Sequence, residues 1–386
     1  MHLEETAAEQ ALRAELRAYF AEVLTPEVRR RLDAEDEGGA TFRAVVRRMG
    51  KDGWLGIGWP NAYGGQGRPA TDQFVFFDEV QRARAPFPFV TLNTVGPTLM
   101  RHGSEEQKAR LLPAILAGEV NFAIGYTEPG AGTDLASLTT RAAKDGDGWV
   151  IDGAKVFTSG ADQADYIWLA TRTDPDAPKH EGISIFLVPT SSPGFSCTRI
   201  TTVGGVSTTA TYYSGVRVGG DALVGPLHGG WRLITSQLNH ERVGLAAIGA
   251  LAHRLWGEVA RWAVDQGLAE VPWVQLDLAR SYALLDGQRL LNWRMAADVA
   301  DGTLGPAASS AVKVFGTEST IEVYRLLLGI VGAGGYLRAG SPGAVLEGEL
   351  ERAARAAQIN TFGGGVNEVQ REIVAVAGLG LTRGAR

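Results

Sequence analysis

The hydrophobic period changes twice along this chain of 386 residues, and those changes limit the folds open to it. From residue 5 to about residue 121, apolar residues recur every three or four positions, as in amphipathic helices. From residue 122 to about 228 the period is two, and the segments are short and rich in branched and aromatic residues. The helical period then returns. The chain therefore predicts an α+β protein with three domains, at residues 1–121, 122–228 and 229–386.

Each domain has a more specific prediction. Ser104 and Gln107 have capping-box spacing and predict a helix that ends near Leu116. The middle domain reads as an antiparallel β-barrel or sandwich, and parallel pairing is not expected because no helix-length connection separates its strands. The last domain is predicted to be a four-helix bundle. Residues 231–264 form one long amphipathic stretch with the helical period.

Composition excludes several classes of protein. A formal net charge of −6 argues against a nucleic-acid partner or a polybasic membrane surface. Cys197 is the single cysteine, so an internal disulfide is impossible. There is no run of 18 strongly apolar residues, the acidic start MHLEETAAEQ is no secretory signal, and the six histidines lack metal-ligand spacing. We expect a cytoplasmic protein without a membrane span or a metal site.

The segment YTEPGAGTDLASL, Tyr126–Leu138, is the most informative one for chemistry. Gly130 and Gly132 let a ligand approach the backbone closely. Thr127 and Thr133 add hydroxyls that can bond the carbonyls and ring nitrogens of a heterocycle. An ordinary turn is the alternative, because Pro-Gly and Gly-Thr-Asp are good turn formers.

Two further segments combine glycines with other ligand-binding features. In GAKVFTSGA, Gly153–Ala161, an aromatic ring stands beside two hydroxyls, which suits a flat cofactor. The alternative there is a strand end followed by a turn. In TFGGGVNEVQREI, Thr361–Ile373, three glycines precede a helix, which indicates close approach by something flat or anionic. The alternative is a helix-to-helix linker.

A carboxylate interrupts an apolar stripe in the third domain. On a helix, Glu241 falls on the same face as Ile234, Leu238 and Leu245. Burying a carboxylate there is costly unless it is paired or functional. Arg242 cannot be its partner within the helix, because adjacent residues do not face each other. Glu241 is therefore a candidate functional group, with an ion pair to another helix as the alternative.

Taken together, these segments resemble the acyl-CoA dehydrogenase family of flavoproteins over essentially the whole chain. The family's TEPGAGSD signature is here Thr127–Asp134, and its G-x-K-x-W-x-T is here GAKVFTS, with phenylalanine in place of tryptophan. The resemblance implies FAD as cofactor and names the residues expected around its flavin ring. They are Tyr126, Thr127, Gly132, Thr133, Phe157, Thr158 and Ser159.

The resemblance also implies where the catalytic base lies. Many family members carry it as a glutamate near the C-terminus, at a position that is Gly364 here. The isovaleryl-type branch instead carries it in an L-x-x-E-R context on a helix, which Glu241 and Arg242 match. Glu241 is therefore the expected base. Arg242 and the backbone of Gly364 are the candidates for substrate contact.

The parts that bind the adenylate arm of FAD in tetrameric relatives are missing. Their R-x-x-F-G stretch reads VPWVQLDLARS here, and the glutamine of their Q-x-x-G-G stretch is Gly329. Such a pattern is expected of one subunit of an α2β2 acyl-CoA dehydrogenase. The resemblance is strongest to the glutamate-bearing subunit of actinobacterial steroid-CoA dehydrogenases. Arg280 lies near the altered stretch and is a possible substitute.

The resemblance implies α,β-dehydrogenation of an acyl-CoA thioester, here a steroid side-chain CoA ester, with electron-transferring flavoprotein as acceptor. The partners would be the acyl-CoA substrate and a second acyl-CoA dehydrogenase-like subunit. Three alternatives stay open. They are a homotetrameric dehydrogenase of short or branched acyl-CoAs, a flavin oxidase or monooxygenase, and a non-catalytic scaffold subunit.

Overall fold

The computed structural model describes residues 5–35, 38–237 and 249–382. The predicted order of a helical, a β and a second helical domain is confirmed. In the first domain, α6 begins with the predicted capping box: Ser104 and Gln107 each donate a backbone N–H to the other's side chain at 3.1 Å. The helices are α1 (Ala7–Val23), α2 (Pro26–Ala34), α3 (Ala40–Lys51), α4 (Ala70–Ala83), α5 (Gly96–His102) and α6 (Glu105–Leu116).

The middle domain is one open sheet of eight strands, in the order β6-β7-β3-β2-β4-β5-β8, with β1 paired to β4. Most neighbours are antiparallel, as predicted. The strands are β1 (Phe122–Gly125), β2 (Arg141–Asp145), β3 (Gly148–Lys155), β4 (Tyr166–Arg172), β5 (Ile183–Pro189), β6 (Phe195–Thr201), β7 (Ser207–Val218) and β8 (Leu223–Val224).

The expectation that no strands pair in parallel is wrong. β1 and β4 pair in parallel over their register from Phe122 opposite Tyr166, and β2 meets β4 in parallel at Arg141 opposite Arg172. Parallel neighbours need a long crossover connection. Between β1 and β4 the β2–β3 hairpin provides it, so no helix is required.

Strands β4 and β5 are buried on both faces, which their sequences do not show. One face of β4, with Trp168 and Ala170, packs into the core of the first domain. The opposite face, with Ile167 and Leu169, packs inside the sheet domain. These two strands therefore fix the orientation of the helical domain relative to the sheet, and the signature segments lie beside them.

The described residues of the third domain form three long helices and several shorter ones. The amphipathic stretch of residues 231–264 is not helical throughout, because Gly249 has a φ of +116° and a helix begins after it at Ala250. No helix in the described part of the chain is long and apolar enough to cross a membrane. The helices are α7 (Gly230–Gln237), α8 (Ala250–Asp265), α9 (Pro272–Ala300), α10 (Pro306–Val331), α11 (Glu349–Ala356) and α12 (Asn367–Ile373).

Candidate active site

The two segments that the sequence singles out lie side by side. The backbone N–H of Val156 donates to the carbonyl of Thr127 at 2.8 Å. One residue earlier on each segment, the Lys155 ammonium donates to the carbonyl of Tyr126 at 3.0 Å. These bonds join the end of β3 to the loop that follows β1. The two segments therefore form one surface beside the end of β3.

A buried ion pair lies beneath that surface. The Lys155 ammonium is 2.8 Å from Glu128 Oε1, and the two side chains are 0% and 5% exposed. Thr139 and Thr140 complete the carboxylate's shell with backbone N–H donors at 2.8 Å, and the Thr139 hydroxyl donates as well. Every lone pair direction of the carboxylate therefore has a donor, which is the condition for burying a charge.

Burial and pairing shift the pKa values of both Glu128 and Lys155. Burial alone would raise the pKa of Glu128, but the Lys155 ammonium and the hydrogen bonds from Thr140 outweigh it and lower the pKa to about 2. Burial lowers the pKa of Lys155 to about 8, against the opposing effect of Glu128. At neutral pH both groups are charged, so each is held in place by the other.

Phe157, two residues after Lys155, has an unusual backbone conformation. Its φ of +59° lies in the left-handed region, which costs a residue with a β-carbon about 1–2 kcal/mol. The turn is fixed on its far side by Thr158, which donates its N–H to Thr209 at 3.0 Å and accepts the Thr209 hydroxyl at 2.6 Å. Phe157 as a residue is 63% exposed. An apolar ring presented at that cost is a feature of a binding site.

The surface around Phe157 fits a flat heterocycle such as a flavin. A β-carbon at Gly132 would lie 3.7 Å from Thr127 Cγ2, so a side chain there would cover this threonine. Thr133 and Ser159 are exposed. The site therefore offers an aromatic face, open backbone and hydroxyls in one place. Thr158 differs from its neighbours, because its side chain is fully buried in the sheet.

Gln237 is a residue that sequence reasoning missed. Trp168 donates its indole N–H to the Tyr126 hydroxyl at 2.9 Å, and Tyr126 in turn donates to Gln237 Oε1. Gln237 is only 2% exposed. The signal was present in the sequence, because Gln237 falls three positions after Ile234 and four before Glu241, on the same helical face.

Of the remaining predicted residues, the structure describes only Gly364. Gly364 is in the loop between α11 and α12, with a φ of +66°, and a β-carbon there would meet nothing within 4 Å. The loop is held to α10 by Lys313, which donates to the carbonyl of Gly365 and, at 3.0 Å, to Asn367 Oδ1. Glu241 and Arg242 lie outside the described residues.

Comparison with models of known protein families shows which family the chain belongs to. The N-terminal domain model of the acyl-CoA dehydrogenases matches residues 6–119, the middle domain model residues 123–216 and the C-terminal domain model residues 228–379. The chain belongs to the acyl-CoA dehydrogenase family. It is therefore a member of a family of oxidoreductases that act on CH–CH bonds and use FAD.

Three relatives of this acyl-CoA dehydrogenase cover its full length. Acyl-CoA dehydrogenase FadE26 of Mycobacterium tuberculosis (strain ATCC 25618 / H37Rv) is 48% identical, with 100% of both chains aligned. A solved steroid ACAD, Tcur3481-Tcur3483, is 61% identical with a TM-score of 0.97, over 100% of both chains. The ChsE4-ChsE5 complex from Mycobacterium tuberculosis is 49% identical with a TM-score of 0.94, again over 100% of both chains.

The contribution of the buried Glu128–Lys155 pair to stability can be tested with single and double variants. Glu128→Gln and Lys155→Met should each lower the free energy of unfolding by about 3–5 kcal/mol, because each leaves one charge buried without its partner. The double variant should lose clearly less than the sum. Asp134→Asn is the matched control. Asp134 lies in the same loop as Glu128 but forms an exposed ion pair with Lys179, so this variant should lower the free energy of unfolding by less than about 1 kcal/mol.

The pH dependence of the same variants has a defined sign. The folded pKa of Glu128, about 2, lies below its ordinary value of 4.5, so its stabilisation is complete above 4.5 and is lost as the pH falls toward 2. Urea unfolding should therefore show the gap between wild type and Glu128→Gln narrowing over that range. Additive single variants, or a gap that does not change with pH, would contradict the ion-pair account.

Proposed function

We propose that this acyl-CoA dehydrogenase catalyses the FAD-dependent α,β-dehydrogenation of a steroid side-chain CoA ester, as one subunit of a heterotetramer. The observation that carries the dehydrogenase part is the exposed Phe157 on a segment that the Glu128–Lys155 pair and the Val156–Thr127 hydrogen bond join to the glycine-rich loop. The steroid part is supported by similarity: a steroid ACAD is 61% identical over the full chain.

FAD would be held through its ring by the surface described above. Phe157 would pack on the ring, while Tyr126, Thr127, Gly132, Thr133 and Ser159 would contact its polar edge. When bound, FAD supplies the acceptor for the β-hydrogen, which leaves the substrate as hydride. Thr158 would act at one remove, because the hydrogen bonds of its backbone N–H and carbonyl with Thr209 hold the turn that presents Phe157.

Glu241 would take the α-proton of the acyl group. Its own position lies outside the described residues, and the support comes from its neighbour: Gln237, four residues earlier, is hydrogen-bonded to Tyr126 at the edge of the flavin surface. Arg242 would lie beside the base. The α-C–H is a weak acid, so the thioester oxygen needs a hydrogen-bond donor as negative charge develops on it. The backbone N–H of Gly364 would be that donor, since the space beside this residue is open.

Replacing Glu241 by glutamine tests the base directly. Glu241→Gln keeps the shape of the side chain but cannot accept a proton, so turnover in the presence of an artificial electron acceptor should fall by at least ~10²-fold. FAD content should stay the same. Glu106→Gln, on the exposed surface of α6, is the control and should leave turnover unchanged. Near-normal turnover of the pure Glu241→Gln variant would show that Glu241 is not the catalytic base.

The need for another subunit is supported by the surface of the chain. Its accessible area is 18178 Å², whereas a monomeric protein of 41.0 kDa is expected to expose about 14,700 Å². Large apolar side chains of the third domain are exposed in the single chain. They are Val264, Trp273, Leu276, Tyr282, Tyr336, Ile359, Phe362, Leu379 and Leu381.

Two positions support a partner that differs from this chain. Gly329 is exposed on α10, and the space around it is open, so no side chain is offered where relatives carry glutamine. The substitute considered for the missing arginine, Arg280, forms an ion pair with Glu322 at 3.0 Å. The similar ChsE4-ChsE5 structure is itself a complex of two proteins. Electron-transferring flavoprotein would reoxidise the flavin, and the assembly would work in the cytoplasm.

FAD stoichiometry separates the heterotetramer from a homotetramer. Purified alone, the chain should hold clearly less than one FAD per protomer, because the two negative charges of the pyrophosphate would lack cationic or amide partners. Co-expressed with a neighbouring dehydrogenase-like gene, it should give an α2β2 complex with two FADs, measured by native mass and flavin absorbance. That complex should oxidise cholanoyl-CoA with a higher kcat/KM than octanoyl-CoA.

Two results would change the proposal in different ways. One tightly bound FAD per protomer with full activity in the lone chain would establish the homotetramer. A complex that prefers octanoyl-CoA would contradict the steroid substrate, and the proposal of acyl-CoA dehydrogenation would stand.

A further inference from the structure

The segment that follows β3 loses its register with β7 at the turn that presents Phe157. The two strands pair in antiparallel fashion as far as Lys155, which lies opposite Thr211. Continued by two residues, that register would bring Phe157 opposite Thr209. It is instead the backbone N–H of Thr158 that donates to the Thr209 carbonyl, at 3.0 Å. Two residues of this segment, Phe157 and Thr158, thus stand opposite one residue of β7, as in a β-bulge.

This change of register decides which side chain faces outward. Side chains alternate between the two faces of a strand, so residue 157 would share the buried face of Lys155 in a regular ladder. The structure instead buries Thr158, three positions after Lys155, and leaves Phe157 exposed. The positive φ of Phe157 makes this possible, although such a position in a bulge is ordinarily a glycine. The bulge therefore turns an apolar ring away from the interior.

Thr209 is the residue that holds the bulge. Its carbonyl accepts the Thr158 N–H, and its hydroxyl donates to the Thr158 carbonyl at 2.6 Å. A single residue of β7 thus binds both polar backbone groups of Thr158. The bond from the hydroxyl is buried, and Thr209 is 1% exposed. Without this hydroxyl, the Thr158 carbonyl would lose its buried donor, which is more costly than the loss of an exposed hydrogen bond.

The neighbouring contact of β7 with the turn is of a different kind. Ser159 Oγ lies 3.0 Å from Thr208 Oγ1, so this contact joins two side-chain hydroxyls. Hydroxyls rotate freely about their own bonds and do not fix the backbone of the turn. The backbone position of the bulge therefore depends on Thr209 rather than on Thr208.

We propose that Thr209 is a positioning residue for the cofactor, because its carbonyl and hydroxyl hold the bulge that presents Phe157 to the flavin ring. Thr209 is itself buried and acts only through the backbone of Thr158. This inference rests on the proposed function and adds to it a residue of β7 that neither signature segment contains. The affinity for FAD therefore depends on one hydroxyl in a neighbouring strand.

The test compares Thr209→Val with Thr209→Ser in the co-expressed complex. Valine keeps the shape of threonine but lacks the hydroxyl. In the FAD-free complex, the amide hydrogens of residues 156–160 should exchange faster in Thr209→Val, because the turn opens more often. The dissociation constant of FAD should rise by about tenfold, since the ring of Phe157 is no longer held in one place. Thr209→Ser retains the hydroxyl and should stay close to wild type in both measurements.

Thr211→Val is the matched control. Thr211 lies two residues further along β7 and is also fully buried. Its hydroxyl meets those of Tyr213 and Thr158, at 3.2 and 3.5 Å, rather than a backbone group of the turn. This variant should lower the unfolding temperature and leave the hydrogen exchange of residues 156–160 and the FAD dissociation constant unchanged.

A second background, Phe157→Gly, separates positioning from general stability. Glycine adopts a positive φ without strain and has no ring to present. Adding Thr209→Val to Phe157→Gly should therefore leave the FAD dissociation constant where Phe157→Gly alone puts it. If Thr209→Val alone does not fold, the double variant should still fold, because glycine needs no support in this conformation. An equal loss of FAD affinity in both backgrounds, or a double variant that also fails to fold, would overturn the inference.

Three results with Thr209→Val alone or with its serine counterpart would also overturn it. They are unchanged hydrogen exchange of residues 156–160, an unchanged FAD dissociation constant, and a loss in Thr209→Ser as large as that in Thr209→Val. A wild-type complex that binds no FAD would refute the proposed function, and this inference would fail with it. If the wild-type complex binds FAD, only the inference is at stake.

Discussion

The ion pair between Glu128 and Lys155 is the interaction on which the candidate site depends. It joins the loop after β1 to the end of β3, the two segments that carry the family signatures. Because both charges are buried and paired with each other, neither segment can move without leaving an unpaired charge in the interior. The strained turn at Phe157 is tolerated directly beside this anchor. Rigidity below the surface is what permits an exposed aromatic ring above it.

The sheet extends this rigidity to the rest of the molecule. β4 and β5 have one face in the core of the helical domain and the other inside the sheet domain. Trp168 belongs to the first face, and its indole N–H starts the chain of hydrogen bonds to Tyr126 and Gln237. The packing of the helical domain on the sheet and the orientation of a buried amide beside the site are therefore one arrangement.

Much of the fold was predictable from local patterns. The periods of apolar residues gave the order of the three domains, and the spacing of Ser104 and Gln107 gave the start of α6. The parallel pairing of β1 with β4 was not predictable, because it depends on a hairpin acting as the crossover. The non-helical conformation of Gly249 was not predicted either, since a glycine within an amphipathic pattern does not by itself indicate a positive φ.

The site was predictable only in part, because some of its contacts join residues that are far apart in the sequence. Glycines, threonines and an aromatic residue marked two segments, but nothing local in the sequence pairs Glu128 with Lys155 across 27 positions. Thr158 was expected beside the cofactor, and the structure places its side chain in the sheet. The hydrogen bond from Tyr126 to Gln237 joins two other elements. Long-range contacts of this kind appear only when the chain is folded.

The central claim is that the surface made by the two anchored segments holds the flavin ring. The most direct test is an experimental structure of the FAD-loaded complex of this chain with its partner. The account predicts the isoalloxazine within about 4 Å of the Phe157 ring and of Thr127, with the adenine far from both. A flavin ring bound elsewhere, or an adenine in this place, would contradict it.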